Sequence, residues 1–262
     1  MENPYKKPLD ILYDRLLVYR QISLRINDVL KSDVEKYNKE KASLSLSSSL
    51  LIVDWSDKKR AARIPTNSFK QITRETYSDE IEKILSLKFC LLYSQSFEAL
   101  ETFLKDFIYI KSNRDKVFKQ KVIKKLKKGL IFNRENIPTG KNLYSLLKEA
   151  GKDTFKEYSK SNIIKTGYNE FWTILSETRH AITHTQCQIK KSKINKSKTH
   201  FKVFEMLFNY FYINEEEILI QLDYLKFFKT IEYISSYAFQ IFKTISIEDK
   251  LDWQIYELNA TQ

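Results

Sequence analysis

Residues 79–111 read DEIEKILSLKFCLLYSQSFEALETFLKDFIYIK and contain neither glycine nor proline. The apolar residues that recur at the three- and four-residue spacing of one helix face are Phe97, Leu100, Leu104, Phe107 and Ile108. A helix with such a face must bury it against other elements. The segment therefore predicts a long helix in the core of an all-α fold.

The composition of the whole chain also favours helices. Glycine and proline each occur only four times in 262 residues, too few for the frequent turns of a sandwich or barrel. Hydrophobic residues make up 42% of the chain and aromatic residues 14%, enough to build a core. The further helices that the apolar spacing and the punctuating residues predict cover residues 8–41, 114–128, 141–150, 152–160, 168–188 and 223–245.

Two segments depart from the helical pattern. Residues 208–213 and 217–222, on either side of Asn214, are rich in aromatic and β-branched side chains and predict a small β-hairpin before the last helix. Residues 42–78, with a serine cluster at 43–49, predict a loop in which the run Leu50–Trp55 fits either a strand or a tucked segment. We divide the chain into an N-terminal helix and loop extension (1–78), a helical domain (79–248) and a C-terminal tail (249–262).

Charge and cysteine content bear on partners and compartment. The formal net charge of +12 favours a polyanionic partner such as RNA, although a lysine-rich composition alone also raises the charge. Cys90 and Cys187 have no CxxC spacing, as expected in a reducing compartment. Met1–Asp10 has no apolar signal-peptide core behind it, and no apolar run is long enough for a membrane span. We expect a cytoplasmic protein.

The most informative motif lies inside the helix predicted over 168–188. There Arg179 and His184 are separated by four residues, and His180 directly follows the arginine. At about 100° per residue, Arg179 lies about 40° from Leu175 on the core side, whereas His184 lies about 180° away on the opposite face with His180. A guanidinium near the core needs an anionic partner, and we predict that Glu101 pairs with Arg179.

The motif resembles the R-x(4–6)-H signature of the HEPN superfamily, whose members often carry a polar residue directly after the arginine. The resemblance covers residues 80–112 and 167–188, because the segment around Glu98 and Glu101 is similar to the helix in which that family carries an acidic residue. It implies a helical bundle of HEPN type that dimerises across the motif helix and cuts RNA without a metal or other cofactor. Many such nucleases are toxins or antiviral defence effectors that have an antitoxin or another partner protein.

The chemistry that this resemblance implies suits the two residue types. RNA is cut without a metal when its own 2′-OH attacks the adjacent phosphate, and histidine moves protons near neutral pH. Arginine stabilises the negative charge of the transition state. We therefore expect His184 to transfer protons, Arg179 to stabilise the phosphate, His180 to orient or assist, and Glu101 to hold the arginine.

Two basic segments are candidate RNA contacts. Residues 111–128 and 189–202 are both lysine-rich, and lysine-to-phosphate contacts give affinity with little sequence preference. The candidate RNA-binding residues are Lys121, Lys124, Lys125, Lys128, Lys190, Lys191 and Lys193. A solvated helix face and a surface loop are the alternative reading of the same charges.

Two other functions stay open at this point. The chain can be a non-catalytic HEPN-like module that binds RNA or a partner protein, with Arg179 only in a structural ion pair. His180, His184 and Cys187 also have the spacing of zinc ligands on one helix face, with His200 as a distant fourth. The glutamate of an HExxH motif is missing, because Ala181 occupies its place.

Overall fold

The computed structural model describes residues 2–39, 42–54, 56 and 63–254 and is predominantly helical there. Its helices are α1 (Lys6–Tyr37), α2 (Arg74–Arg114), α3 (Lys116–Lys125), α4 (Gly140–Lys160), α5 (Tyr168–His184), α6 (Lys191–Ile194), α7 (Lys198–Leu207) and α8 (Tyr224–Glu248). The strands are β1 (Ser45–Val53), β2 (Arg63–Thr73), β3 (Gln188–Lys190), β4 (Asn209–Tyr212) and β5 (Glu217–Gln221). None of the helices in these ranges has both the length and the apolar character of a membrane span.

The core lies between α2, α8 and the helices that pack on both. Helices α1, α2 and α4 contact α8, and α5 packs on α2 and α4. Phe107 of α2 is fully buried, with ring centroids 4.9 Å from Tyr5, 4.4 Å from Phe103 and 6.3 Å from Phe242. Aromatic rings of this size supply much of the buried apolar area of a helical bundle, so the aromatic content of the chain is mainly structural.

Helix α1 shares this core. Leu9, Leu12 and Leu16 are buried in the same hydrophobic cluster as the side chains of α2 and α8. Just before the helix, the Tyr5 hydroxyl donates a hydrogen bond to Asp249 at the end of α8. In the described residues, α1 packs on α2 and α8. The domain boundary at residue 78 stays a prediction.

The loop predicted over residues 42–78 is wrong for most of its length, but the strand reading of Leu50–Trp55 is confirmed as far as Val53, the last residue of β1. Strands β1 and β2 form an antiparallel hairpin whose register runs from Ser45 opposite Thr73 to Val53 opposite Arg63, and α2 begins directly afterwards at Arg74. The strand pattern was obscured because β1 reads SLSSSLLIV, without regular alternation of polar and apolar residues, and is exposed along its whole length. Trp55, the last residue of the predicted apolar run, lies outside the described residues.

The hairpin predicted before the last helix is confirmed. Strands β4 and β5 pair antiparallel, and β3 joins them on the other side of β5 to give the order β3-β5-β4. The third strand was not predicted, because three residues are too few to show an alternating pattern. This small sheet lies next to the end of α5, because β3 begins at Gln188, shortly after the motif helix ends at His184.

The two short helices predicted over 141–150 and 152–160 form one bent element, α4. Lys152 has non-helical torsion angles, with φ 43° and ψ −125°, directly after Gly151. A Cβ atom at Gly151 would lie 2.7 Å from the methyl group of Thr244 on α8. The glycine therefore allows α4 to approach α8 closely at the bend.

Residues 249–254, the first part of the predicted tail, return to the bundle. The ring of Trp253 packs against Phe239 with a centroid distance of 6.4 Å, and the Asn3 amide donates a hydrogen bond to the backbone carbonyl of Asp252. Residues 255–262 lie outside the described part of the chain.

Candidate active site

The buried side of α5 is the one that its sequence predicts. Tyr168, Phe171 and Ile182 recur at helical spacing with Leu175, which marks the predicted core side, and all four are buried. The Tyr93 hydroxyl on α2 donates to the Leu175 carbonyl at 2.7 Å and shares a hydrogen bond with the Thr178 hydroxyl at 2.8 Å. These contacts hold α5 on α2 immediately before Arg179.

Helix α5 ends at His184, four residues earlier than predicted. The backbone amides of Thr185 and Cys187 both donate to the Ala181 carbonyl, and Gln186 and Cys187 adopt left-handed torsion angles with φ 53° and 67°. Two successive left-handed residues end a helix and turn the chain. Cys187 then pairs with Ile220 through its carbonyl, which starts the approach of β3 to β5.

His180 and His184 lie together on the exposed side of the last turn. Their ring centroids are 4.7 Å apart at an interplanar angle of 47°, and both side chains are exposed. An i, i+4 spacing brings two side chains to the same helix face, so the predicted shared face is confirmed. Two imidazoles at the surface can accept and donate protons to a bound molecule.

Arg179 is anchored to α2 by a carboxylate. One terminal nitrogen, Nη2, donates to Glu98 Oε1 at 2.8 Å, with the arginine side chain 32% exposed and the glutamate 44% exposed. The Nε atom is buried and has no hydrogen-bond partner within the described residues. The guanidinium is thus held at one end, while part of it remains accessible to an anion.

The predicted pairing of Glu101 with Arg179 is wrong. Glu101 instead accepts a hydrogen bond of 3.3 Å from the backbone amide of Gly140, where α4 begins. Glu98 and Glu101 lie close on the helical wheel, but three residues displace them by about 4.5 Å along the axis. The sequence predicts that both carboxylates lie on the same side of α2. It does not predict how α2 and α5 are aligned along their axes, and this alignment brings Glu98 rather than Glu101 to Arg179.

Arg179 and His184 do not share a face of α5. Five residues separate them by about 7.5 Å along the helix axis and about 140° around it. The arginine turns towards α2, where it meets Glu98, and the histidine turns outward beside His180. The two groups therefore extend in different directions from α5.

The candidate lysines of the basic segment 111–128 differ in their contacts in the structure. Lys125 donates to Glu149 at 2.5 Å and to Ser145 at 2.6 Å, and Lys121 lies 4.0 Å from the same carboxylate. Helix α3 ends at Lys125, so Lys128 is not on it. Lys125 therefore joins α3 to α4, whereas Lys124 and Lys128 are exposed.

The lysines that follow α5 lie near the motif in different ways. Lys190 ends β3 and is exposed, and the Lys191 ammonium sits over the ring of Tyr212 at 4.4 Å. Lys193 Nζ lies 3.7 Å from a Glu177 carboxylate oxygen on α5. Of these three, Lys193 is the one that contacts the motif helix directly.

The arrangement of the cysteines argues against the zinc alternative. Cys187 and Cys90 are both buried and share a hydrogen bond, which raises the pKa of Cys90 and lowers that of Cys187. In the ranges that the structure describes, no three or more histidine, cysteine or acidic side chains are grouped to hold a metal ion. His200, the fourth candidate ligand, is buried with Nδ1 2.8 Å from the Ser197 hydroxyl.

The chain was compared with protein-family models, curated proteins and solved structures. No family model, no curated protein and no solved structure matched the chain.

Proposed function

We propose that this chain is a metal-independent endoribonuclease whose active site is built from Arg179, His180 and His184. The observation that carries the proposal is the exposed imidazole pair on the last turn of α5, beside an arginine held by Glu98. A structural salt bridge to Glu98 alone would account for the arginine. It would not account for His180 and His184, whose rings lie side by side on the solvent-exposed face of the same helix.

The proposed reaction is a transesterification within the RNA strand. A histidine removes the proton of a 2′-OH, and the oxygen attacks the adjacent phosphorus while the bond to the 5′-oxygen of the next nucleotide breaks. A proton is returned to that leaving oxygen, so the products carry a 2′,3′-cyclic phosphate and a 5′-OH. His184 is assigned the proton transfer and His180 a supporting role.

Arg179 stabilises the charge of the five-coordinate phosphate in this scheme. A guanidinium offers several N–H donors to phosphate oxygens, and its terminal nitrogens are assigned this role here because Nε is buried. Glu98 is a positioning residue, because it fixes the arginine from α2 without touching the reacting atoms. Glu101 has no part in this scheme.

The active form is proposed to be a homodimer across α5. Within one chain the arginine and the histidine point about 140° apart, so a second copy placed against this helix supplies the missing group by symmetry. The resemblance to HEPN proteins supports the same arrangement. It also suggests a role as a toxin or an antiviral defence effector with its own partner protein, which rests on analogy alone.

Mixing two inactive variants tests this composite site. Arg179→Ala and His184→Ala should each be inactive, and after subunit exchange the mixed dimer should contain one site with both residues intact. We expect the mixture to regain about a quarter of the wild-type cleavage rate, since half of the dimers are mixed and each has one working site. Cleavage of a fluorescent RNA before and after exchange measures this.

The matched control is a mixture of His184→Ala with itself after the same exchange, which should stay inactive. If Arg179 and His184 act within one chain, the mixture of the two variants should also stay inactive, because each chain then lacks one of the two residues. That result would contradict the dimeric site. RNA binding without cleavage by the wild type would favour the non-catalytic module instead.

A further inference from the structure

A cleft of about 450 Å³ lies beside the motif, between the start of α4, the middle of α5 and the connection from α6 to α7. Its polar and aromatic lining includes Lys141, Tyr144, Asn169, Thr173, Ser176 and Lys196. Binding clefts for small molecules and cofactors have volumes of about 300–1,000 Å³. The cleft is therefore large enough for one nucleotide unit.

The cleft opens on the same face of α5 as the two histidines. Asn169, Thr173 and Ser176 precede His180 and His184 at spacings of three and four residues, so the five side chains follow one another along the helix. From Thr173, the axial distance is about 10.5 Å to His180 and about 16.5 Å to His184. A strand that passes the histidines can therefore reach the cleft within a few nucleotides.

The charge at the rim suits a phosphate. Lys141 is exposed and makes no ion pair within the described residues. Glu177, the acidic residue of the lining, is held by Lys196 at 3.0 Å and by Lys193 at 3.7 Å. Three ammonium groups and one carboxylate leave the rim positive, which favours an anionic backbone.

The interior of the cleft suits a base. The partly exposed Tyr144 provides aromatic surface, while Trp172 is buried against Phe97 below it. The Asn169 side chain and the Thr173 and Ser176 hydroxyls make no hydrogen bond to any part of the chain that the structure describes. An amide offers both donors and an acceptor, the combination that reads a base edge. Proteins that select RNA sequences use such groups on unpaired bases.

We propose that this cleft binds one unpaired nucleotide of the RNA substrate, a few positions from the cut, and that Asn169 reads its base. Lys141 contacts the phosphate of that nucleotide. This inference rests on the proposed function where it places the nucleotide relative to the cut. The binding of a nucleotide in the cleft does not depend on cleavage. It makes the enzyme selective at one position outside the scissile bond.

Binding and cleavage are measured separately to test it. A random oligoribonucleotide with 2′-O-methyl groups cannot be cut by the proposed reaction, so its affinity reports on binding alone. We expect Lys141→Ala to weaken this binding several-fold and to reduce the slope of log affinity against log salt by about 0.7. Lys229→Ala, which removes an exposed lysine on α8, is the matched control and should leave both unchanged.

Sequencing the 5′-OH ends of products from random RNA measures the specificity. The wild type should prefer one base at a fixed distance from the cut, and Asn169→Ala should lower this preference about tenfold while cleavage continues. Cleavage that depends on His184 but is indifferent to both Lys141→Ala and Asn169→Ala would overturn the cleft and leave the proposed function. Binding that depends on Lys141 without any cleavage would overturn the proposed function and support the cleft.

Discussion

His184→Ala should lower the rate of RNA cleavage by about 10²- to 10⁴-fold, the range that a positioned general acid or base contributes. The side chain is exposed at the last position of α5 and makes its ring contact with His180, so its removal leaves the packing of the helix intact. The measurement is a single-turnover cleavage assay on a fluorescent RNA in excess EDTA, with circular dichroism to confirm that the fold is retained.

Thr183→Ala is the control for this prediction. Thr183 is the exposed neighbour of His184, and its hydroxyl donates to carbonyls of its own helix, so its loss should change the rate less than about threefold. His180→Ala should lie between the two. A His184→Ala variant that cleaves as fast as Thr183→Ala would remove histidine from the mechanism.

Lys111→Ala should lower the free energy of unfolding by about 3–5 kcal/mol, because it leaves a buried carboxylate without its cation. Lys111 on α2 forms an ion pair with Asp249, and the two side chains are only 6% and 9% exposed. The same carboxylate accepts a hydrogen bond of 2.6 Å from Tyr5. The pair therefore joins the start of the chain, α2 and the end of α8, and urea unfolding measures its contribution.

Two further variants show whether the loss of stability comes from the unpaired buried charge. Lys88→Ala removes an exposed lysine from the same helix and should change the free energy of unfolding by less than about 0.5 kcal/mol. Replacing both partners, by Lys111→Met with Asp249→Leu, should recover much of the loss, because no charge then remains buried. A loss below about 1 kcal/mol for Lys111→Ala would mean that α1 is not tied to the bundle in this way.

The helical spacing of apolar residues predicted most of the helices of the fold. The long helix over 79–111 and the last helix over 223–245 are close to α2 and α8, because their apolar stripes face a core that the chain itself provides. Apart from the strand that was one reading of Leu50–Trp55, the β1–β2 hairpin was missed because it has no buried face. Both strands are exposed along nearly their whole length, so burial imposes no alternating pattern on them.

The candidate site was predictable in its residues but not in its contacts. The wheel placed His180 and His184 together, and their rings are in contact. It also placed an acidic residue of α2 near Arg179, yet the contacting residue is Glu98, since the axial register between two helices is determined by long-range packing such as that of Tyr93 on Leu175. The cleft beside α5 joins residues from three separate segments, which no local spacing reveals.

The chemistry of the cut ends tests the proposed function most directly. Wild-type protein is incubated with RNA in excess EDTA, and the ends are identified by mass spectrometry, with DNA and 2′-O-methyl RNA of the same sequence alongside. Attack by the 2′-OH predicts 2′,3′-cyclic phosphate and 5′-OH ends on RNA, and intact DNA and 2′-O-methyl RNA. Cleavage that stops in EDTA, or that leaves 5′-phosphate ends or cuts the 2′-O-methyl strand, would contradict it.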